Sequence, residues 1–144
     1  MHNSIEQIEK RITELQQSKV SLQEQLKQSQ ITFERNLDDS ALRIIDILDM
    51  IDTTKNSNDL DHDTNSNAPL IIKKIEKKLI EILRRWQVQE LVTKDGLVEA
   101  GKTRVIATRP ISDAVSAGAI VEICRKGYQR GDKTLRPTDV ITGV

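Results

Sequence analysis

The chain has 144 residues and a mass of 16.3 kDa, and its 22 Lys and Arg side chains balance its 22 Asp and Glu side chains to a formal net charge of zero. This balance, with three aromatic residues in all, argues against a general nucleic-acid binder. The apolar runs fall far short of the roughly 20 residues that span a bilayer. We therefore expect no nucleic-acid and no membrane partner, and the single Cys124 favours a reducing, cytoplasmic setting.

The charges are unevenly distributed along the chain. Residues 1–52 carry an excess of four acidic side chains, whereas residues 70–96 and 97–144 each carry an excess of three basic ones. This asymmetry indicates segments with different faces or partners.

Residues 1–52 predict one long helix. They contain no Pro and no Gly and are rich in Gln, Glu, Lys and Leu, which favour helices. Apolar residues recur at steps of 3 and 4, a narrow stripe that a lone helix would leave in water. We expect the stripe to pair with a second copy in a parallel coiled coil; the alternative is packing against the chain's own C-terminal part. The expected dimer seam consists of Ile5, Ile8, Ile12, Leu15, Leu22, Leu26, Phe33, Leu37, Ile44 and Leu48.

Residues 53–69 are polar and predict a flexible loop, because their composition buries too little apolar surface to offset the entropy of ordering. An acidic cluster within this loop resembles a metal site in composition only. It lacks the Gly and the terminal Glu of a calcium loop, so we expect a solvated loop and no metal. The cluster comprises Asp59, Asp61, His62 and Asp63.

Residues 70–86 predict a second, shorter helix, with Pro69 near its first turn. One face is apolar, and the opposite face is basic, either solvated or in contact with an acidic partner. Two copies of this helical hairpin would form a four-helix bundle. The basic face comprises Lys73, Lys74, Lys77 and Lys78.

Residues 87–144 predict a small β-domain, because Val, Ile, Thr and Gly become common and the helical period is lost. Gly131 and Asp132 predict a hairpin turn, and Pro110 and Pro137 mark strand ends. The expected fold class is α+β, with a dimeric helical bundle and a C-terminal all-β domain. Strands are expected near residues 89–92, 103–107, 119–124 and 139–141.

Residues 96–103 satisfy the pattern G-x-x-x-x-G-K-[ST] of phosphate-binding loops. Such a loop requires a helix directly after it, yet the following residues are β-branched and stop at Pro110. We expect a turn followed by a strand, with a phosphate loop as the alternative. No catalytic set of residues and no cofactor motif stand out otherwise. Cys124 lies in an apolar strand, where a packed thiol is the usual role.

The C-terminal run of residues 120–137 resembles the signature of GrpE-type nucleotide exchange factors. Lys126-Gly127-Tyr128 and Leu135-Arg136-Pro137 stand at the spacing of that family, after an apolar strand. Residues 42–49 resemble the end of the family's long helix, and residues 78–88 resemble its short helix. The chain departs from the family pattern at residues 99–103, at Met50, where an Arg is frequent, and at Ile71, where a Gly is frequent.

The resemblance implies a dimeric co-chaperone that binds the ATPase domain of a DnaK-type chaperone and promotes the release of ADP, without being an enzyme. The alternative is a dimeric coiled-coil scaffold with a protein-binding β-domain and no exchange activity. Within the expected site, Gly127 serves either a special backbone conformation or a plain turn, and Tyr128 is expected to be a core ring rather than a contact. The site residues that the resemblance implies are Cys124, Lys126, Gly127, Tyr128, Arg136 and Pro137.

Overall fold

A computed structural model describes residues 2–57, 67–112 and 116–144. Within these ranges two α-helices are followed by six strands, with a short 3-10 helix (Lys94–Gly96) between the first two strands, which confirms the α+β class and the C-terminal all-β domain. The elements are α1 (His2–Asn56), α2 (Ala68–Arg85), β1 (Val88–Glu90), β2 (Thr103–Arg109), β3 (Ile120–Arg125), β4 (Tyr128–Arg130), β5 (Lys133–Arg136) and β6 (Thr138–Gly143). The chain divides into two compact units, Met1–Leu37 and Asp38–Val144.

The first unit holds the N-terminal part of α1. Its apolar stripe is exposed in the single chain; Ile8, for example, has 58% of its surface in water, and Leu22 has 62%. An apolar stripe of this kind on an isolated helix favours a partner.

The end of α1 lies at Asn56, beyond the expected boundary at residue 52. The hydroxyls of Thr53 and Thr54 donate hydrogen bonds to the carbonyls of Asp49 and Met50, one turn earlier, so these polar residues are accommodated within the helix. Of the predicted loop, residues 58–66 lie outside the described residues, and the acidic cluster of residues 59–63 lies there with them. Helix α2 begins at Ala68 with a Pro in its first turn, as predicted.

The second unit contains two three-stranded sheets. The first has the order β1-β4-β5 and is antiparallel throughout, and the second has the order β2-β6-β3 with β2 parallel to β6. Gly131 and Asp132 connect β4 to β5, and Pro110 and Pro137 directly follow β2 and β5, as the sequence predicts.

The core of this unit lies between the C-terminal part of α1, the end of α2 and the first sheet. Tyr128 is 7% exposed, as expected for a core ring. Leu48, one of the expected seam residues, is 5% exposed and belongs to this core, and Ile44 packs against it. The first sheet therefore packs against α1 through apolar side chains, whose buried set is Ala41, Ile45, Leu48, Leu83, Val88 and Tyr128.

Close packing, rather than a special backbone conformation or a plain turn, explains Gly127. It does not adopt a left-handed conformation; instead, a Cβ atom at this position would lie 2.4 Å from the backbone nitrogen of Thr138 and 2.5 Å from its hydroxyl. Its own N–H donates to that hydroxyl at 3.2 Å. The glycine thus allows the turn between β3 and β4 to approach the start of β6 closely.

No helix within the described ranges is long and apolar enough to cross a membrane.

Candidate functional site

Arg136, at the end of β5, binds the carboxylate of Asp49 on α1 with two nitrogens. The distances are 2.7 Å from Nη1 to Oδ2 and 2.9 Å from Nη2 to Oδ1. The guanidinium also donates to the backbone carbonyl of Lys126, at 3.1 Å from Nε and 2.7 Å from Nη2. It lies 5.7 Å from the centroid of the Tyr128 ring. Since the Arg136 side chain is only 10% exposed, these contacts make it a structural link between α1 and the β-domain.

Two further basic residues extend this link toward the end of α1. Arg125 donates to Asp49 at 3.1 Å and to Asp46 at 3.3 Å. The ammonium of Lys126 lies 3.6 Å from a Glu90 oxygen and 3.9 Å from an Asp52 oxygen. Because Arg125 and Lys126 are both more than 40% exposed, their pairs add little stability by themselves.

A second acidic anchor lies nearer the start of this unit. Asp38 accepts hydrogen bonds from Arg130 at 2.6 Å and from Lys133 at 2.5 Å. These two basic residues flank the turn between β4 and β5. Asp38 is 6% exposed, so its charge is nearly removed from water and requires these partners.

The pKa values of both anchoring carboxylates are lowered. Burial by itself would raise the pKa of Asp38, but the hydrogen bonds and charges of Arg130 and Lys133 outweigh it. For Asp49 burial likewise opposes ionisation, and Arg136 and Arg125 together lower its pKa. Burial, followed by the charges of Glu90 and Asp49, raises the pKa of Tyr128 to about 12, so its hydroxyl stays protonated at neutral pH.

The six residues that the resemblance implies fall into buried and accessible groups. Gly127, Tyr128 and Arg136 are buried, and Pro137 is partly buried. Cys124 and Lys126 are exposed. The prediction of a packed thiol at Cys124 is wrong, because β3 lies at the edge of its sheet and its last four residues are exposed.

The accessible residues line a cleft of about 610 Å³ between the end of α1 and β3. We refer to Ile123, Cys124 and Lys126 together as the β3 edge surface. Ile123 is 50% exposed. Acidic residues Asp52 and Glu90 also line the cleft. The surface thus combines an exposed aliphatic side chain, a thiol and a cation beside two carboxylates.

The sequence did not identify Val105 and Ile123 as exposed aliphatic residues. Both are paired in register with Val140, the buried residue at the centre of β6, and therefore share one face of the second sheet. Val105 is 44% exposed. The sequence does not show that β6 separates β2 from β3, and without that order neither residue is distinguishable from a core valine or isoleucine.

On the opposite face of this sheet, Arg104 forms a bidentate ion pair with Asp139. The distances are 2.7 and 2.8 Å. The hydrogen bond from Arg104 outweighs the effect of burial and lowers the pKa of Asp139. The second sheet therefore has one face with exposed aliphatic side chains and one with a charged pair.

The segment that matches a phosphate-binding loop forms a turn that leads directly into β2, as expected. The hydroxyl of Thr103 donates to the carbonyl of Glu99 at 2.7 Å, and Lys102 pairs with the carboxylate of Glu99 at 2.8 Å. The two side chains that such a loop would direct at a phosphate are engaged with Glu99 instead. A strand, β2, rather than a helix with free amide donors directly follows the turn.

Within residues 2–57, 67–112 and 116–144, the structure shows no group of three or more His, Cys, Asp and Glu side chains arranged to hold a metal ion. The pairs described above join acidic to basic groups. This part of the chain therefore offers ion pairs that fix the fold rather than a metal centre.

The described residues thus comprise a long helix with an exposed apolar stripe, a short second helix and a small β-domain with an accessible edge strand. The GrpE family matches the whole chain, residues 1–144, and the chain belongs to this family. Members are co-chaperones of DnaK-type chaperones that act in nucleotide exchange and the stress response, rather than catalytic enzymes. No curated protein matches the chain.

The lowered pKa values of Asp38 and Asp49 predict a loss of stability in acid. Both carboxylates have a usual value of 3.8 that is lower in the folded state. Their contribution is therefore present above about pH 4 and is lost as the pH falls through the folded-state values. We expect the free energy of unfolding, measured by urea denaturation, to be lower at about pH 3 than at about pH 6. Asp38→Asn should reduce that difference.

Asp39→Asn is the matched control, because Asp39 is an exposed neighbour on α1 that carries the same charge. This control should keep the full difference between the two pH values. An equal acid dependence in Asp38→Asn and in the unchanged protein would contradict the role assigned to the Asp38 anchor.

Proposed function

We propose that this protein is a nucleotide exchange factor that binds the ATPase domain of a DnaK-type chaperone and promotes ADP release. The proposal rests on one observation: in a chain that belongs to this family throughout, the β3 edge surface is accessible. The signature residues Gly127, Tyr128 and Arg136 are buried. The signature thus supports a surface that remains open to a partner.

The proposed mechanism is differential binding. A partner that prefers the open, nucleotide-free conformation of the ATPase domain weakens nucleotide binding by the same coupling factor. Typical coupling factors lie between about 5 and about 150. No covalent step is needed, so we propose that the chain itself has no catalytic role.

In this proposal the six implied residues have two different tasks. Cys124 and Lys126 contact the chaperone together with Ile123. Gly127, Tyr128 and Arg136 act indirectly, because they fix the turn between β3 and β4. Pro137 directly follows β5 beside them. This division is supported by the exposure of each residue. It is also supported by the hydrogen bonds of Arg136, whose donors are engaged with Asp49 and with the Lys126 carbonyl.

We further propose that the protein is a homodimer, joined by the exposed stripe of α1. The stripe residues between Ile5 and Phe33 are each at least 48% exposed in the single chain. Burying one such side chain contributes about 1.5–3 kcal/mol, so a continuous stripe favours pairing. We place this dimer in the cytoplasm, in keeping with the single cysteine.

Dimer formation is testable by introducing charges into the stripe. Analytical ultracentrifugation should give the unchanged protein twice the 16.3 kDa mass of the chain. The double variant Leu22→Asp, Leu26→Asp should sediment with the mass of one chain, because paired carboxylates would face each other in the seam. Gln17→Asp, which lies on α1 on the side away from the stripe, should remain dimeric. A monomeric unchanged protein would contradict the proposed pairing.

The exchange activity is testable with a fluorescent ADP analogue on a DnaK-type ATPase domain. The unchanged protein should accelerate release of the analogue. Ile123→Asp should abolish most of the acceleration, because it places a carboxylate in the apolar part of the contact. Val92→Asp is the control, since Val92 is an aliphatic residue with 80% exposure that lies outside the second sheet.

Binding to the ATPase domain without any acceleration would contradict the exchange function and support the scaffold alternative. Equal acceleration by Ile123→Asp and the unchanged protein would contradict the place assigned to the β3 edge surface.

A further inference from the structure

The β4–β5 hairpin is attached to α1 at both of its ends by ion pairs. Asp38 and Asp49 are eleven residues apart on α1, about three helical turns, and therefore lie on the same face. Asp38 holds Arg130 and Lys133, beside the hairpin turn. Asp49 holds Arg136, at the opposite end of β5. We refer to these two attachments as the hairpin clamp.

Apolar contacts fill the space between the two attachments. Ala41 and Ile45 of α1 lie within the clamp and are fully buried, and Leu135 of β5 packs against the same cluster as Tyr128. Apolar burial is not directional. The charged pairs, by contrast, require a defined geometry, above all the bidentate pair of Arg136 with Asp49. With one attachment the angle of the hairpin on the helix is less firmly fixed than with two.

The clamp is continuous with the β3 edge surface. The same guanidinium that binds Asp49 also holds the carbonyl of Lys126. Arg125, the last residue of β3, donates to the same carboxylate. A short series of hydrogen bonds thus joins α1 to the exposed end of β3.

We propose that Asp38 and Asp49 are positioning residues for nucleotide exchange, which hold the β3 edge surface at one angle on α1. This inference rests on the proposed function and adds to it. A surface held at one angle fits one conformation of the ATPase domain better than the other. A surface that can change its angle binds both conformations of the ATPase domain with similar affinity. It therefore does not shift the equilibrium between them.

The experiment compares Asp38→Asn and Asp49→Asn with the control Asp39→Asn in the full-length protein. ADP-analogue release is measured against increasing concentrations of each variant. In the two clamp variants the saturating release rate should fall by about fivefold or more. The half-saturating concentration should stay within about twofold, since the contact surface itself is unchanged. The control should match the unchanged protein in both quantities.

Amide hydrogen exchange on the same variants reports on the clamp without any chaperone. Deuterium uptake in β4 and β5 should rise in both clamp variants and not in the control, because a detached hairpin opens more often. If Asp49→Asn does not fold, Asp38→Asn and Arg136→Lys are compared with the control Asp39→Asn instead. Arg136→Lys keeps the charge and loses the two-pronged geometry.

The possible failures are distinguishable. Unchanged uptake in the clamp variants would overturn the clamp itself. Raised uptake with an unchanged saturating rate would overturn its role in exchange. If the unchanged protein gives no acceleration, the proposed function fails and the positioning role fails with it, whereas the uptake data still show whether the clamp exists.

Discussion

The ion pair between Asp49 and Arg136 is the interaction on which the arrangement of the second unit depends. The Arg136 side chain is 10% exposed and the Asp49 side chain 27% exposed, and removing a charged group from water is expensive unless its donors or acceptors are matched. Here the matching is complete: Arg136 serves the Asp49 carboxylate and the Lys126 carbonyl together. In the part of the chain that the structure describes, no buried side-chain nitrogen or oxygen lacks a hydrogen-bond partner. A helix and a hairpin distant in sequence are thereby fixed to each other.

Three residues of the family signature, Gly127, Tyr128 and Arg136, are buried. A conspicuous run such as Lys126-Gly127-Tyr128 suggests direct contact with a partner, yet Gly127 is packed against Thr138 and Tyr128 belongs to the core. Their role in the fold is to bring β3, β4 and β6 together. The exposed side chains nearby are those at the edge of the second sheet, and these carry the proposed contact with the chaperone.

Local features of the fold were predictable from the sequence. Helical periodicity and the absence of Pro and Gly predict α1, and Gly131 with Asp132 predicts the turn between β4 and β5, because these signals act over a few residues. The same local reasoning separates the turn at residues 96–103 from a phosphate-binding loop. The end of α1 extends beyond its expected boundary because threonine hydroxyls can bond to the preceding helical turn.

Contacts between distant residues were not predictable in this way. Asp49 and Arg136 are 87 residues apart, and no spacing rule connects them. The reason for Gly127 lies in the close approach of β6, and the exposure of Cys124 follows from a strand order in which β6 separates β2 from β3. For the candidate site, the sequence could therefore indicate the region through its family resemblance, whereas the division into buried and accessible residues required the structure.

A double-mutant cycle on Asp49 and Arg136 tests this account most directly. The free energy of unfolding is measured by urea denaturation for Asp49→Asn, Arg136→Met and the double variant. Arg136→Met leaves Asp49 with Arg125 as its partner, and Asp49→Asn leaves the buried Arg136 with the Lys126 carbonyl, so each should cost about 2 kcal/mol. The double variant should be more stable than additivity predicts, by about 2 kcal/mol. Effects that add to within about 0.5 kcal/mol would contradict the account, because they would show that the two groups do not act as a pair.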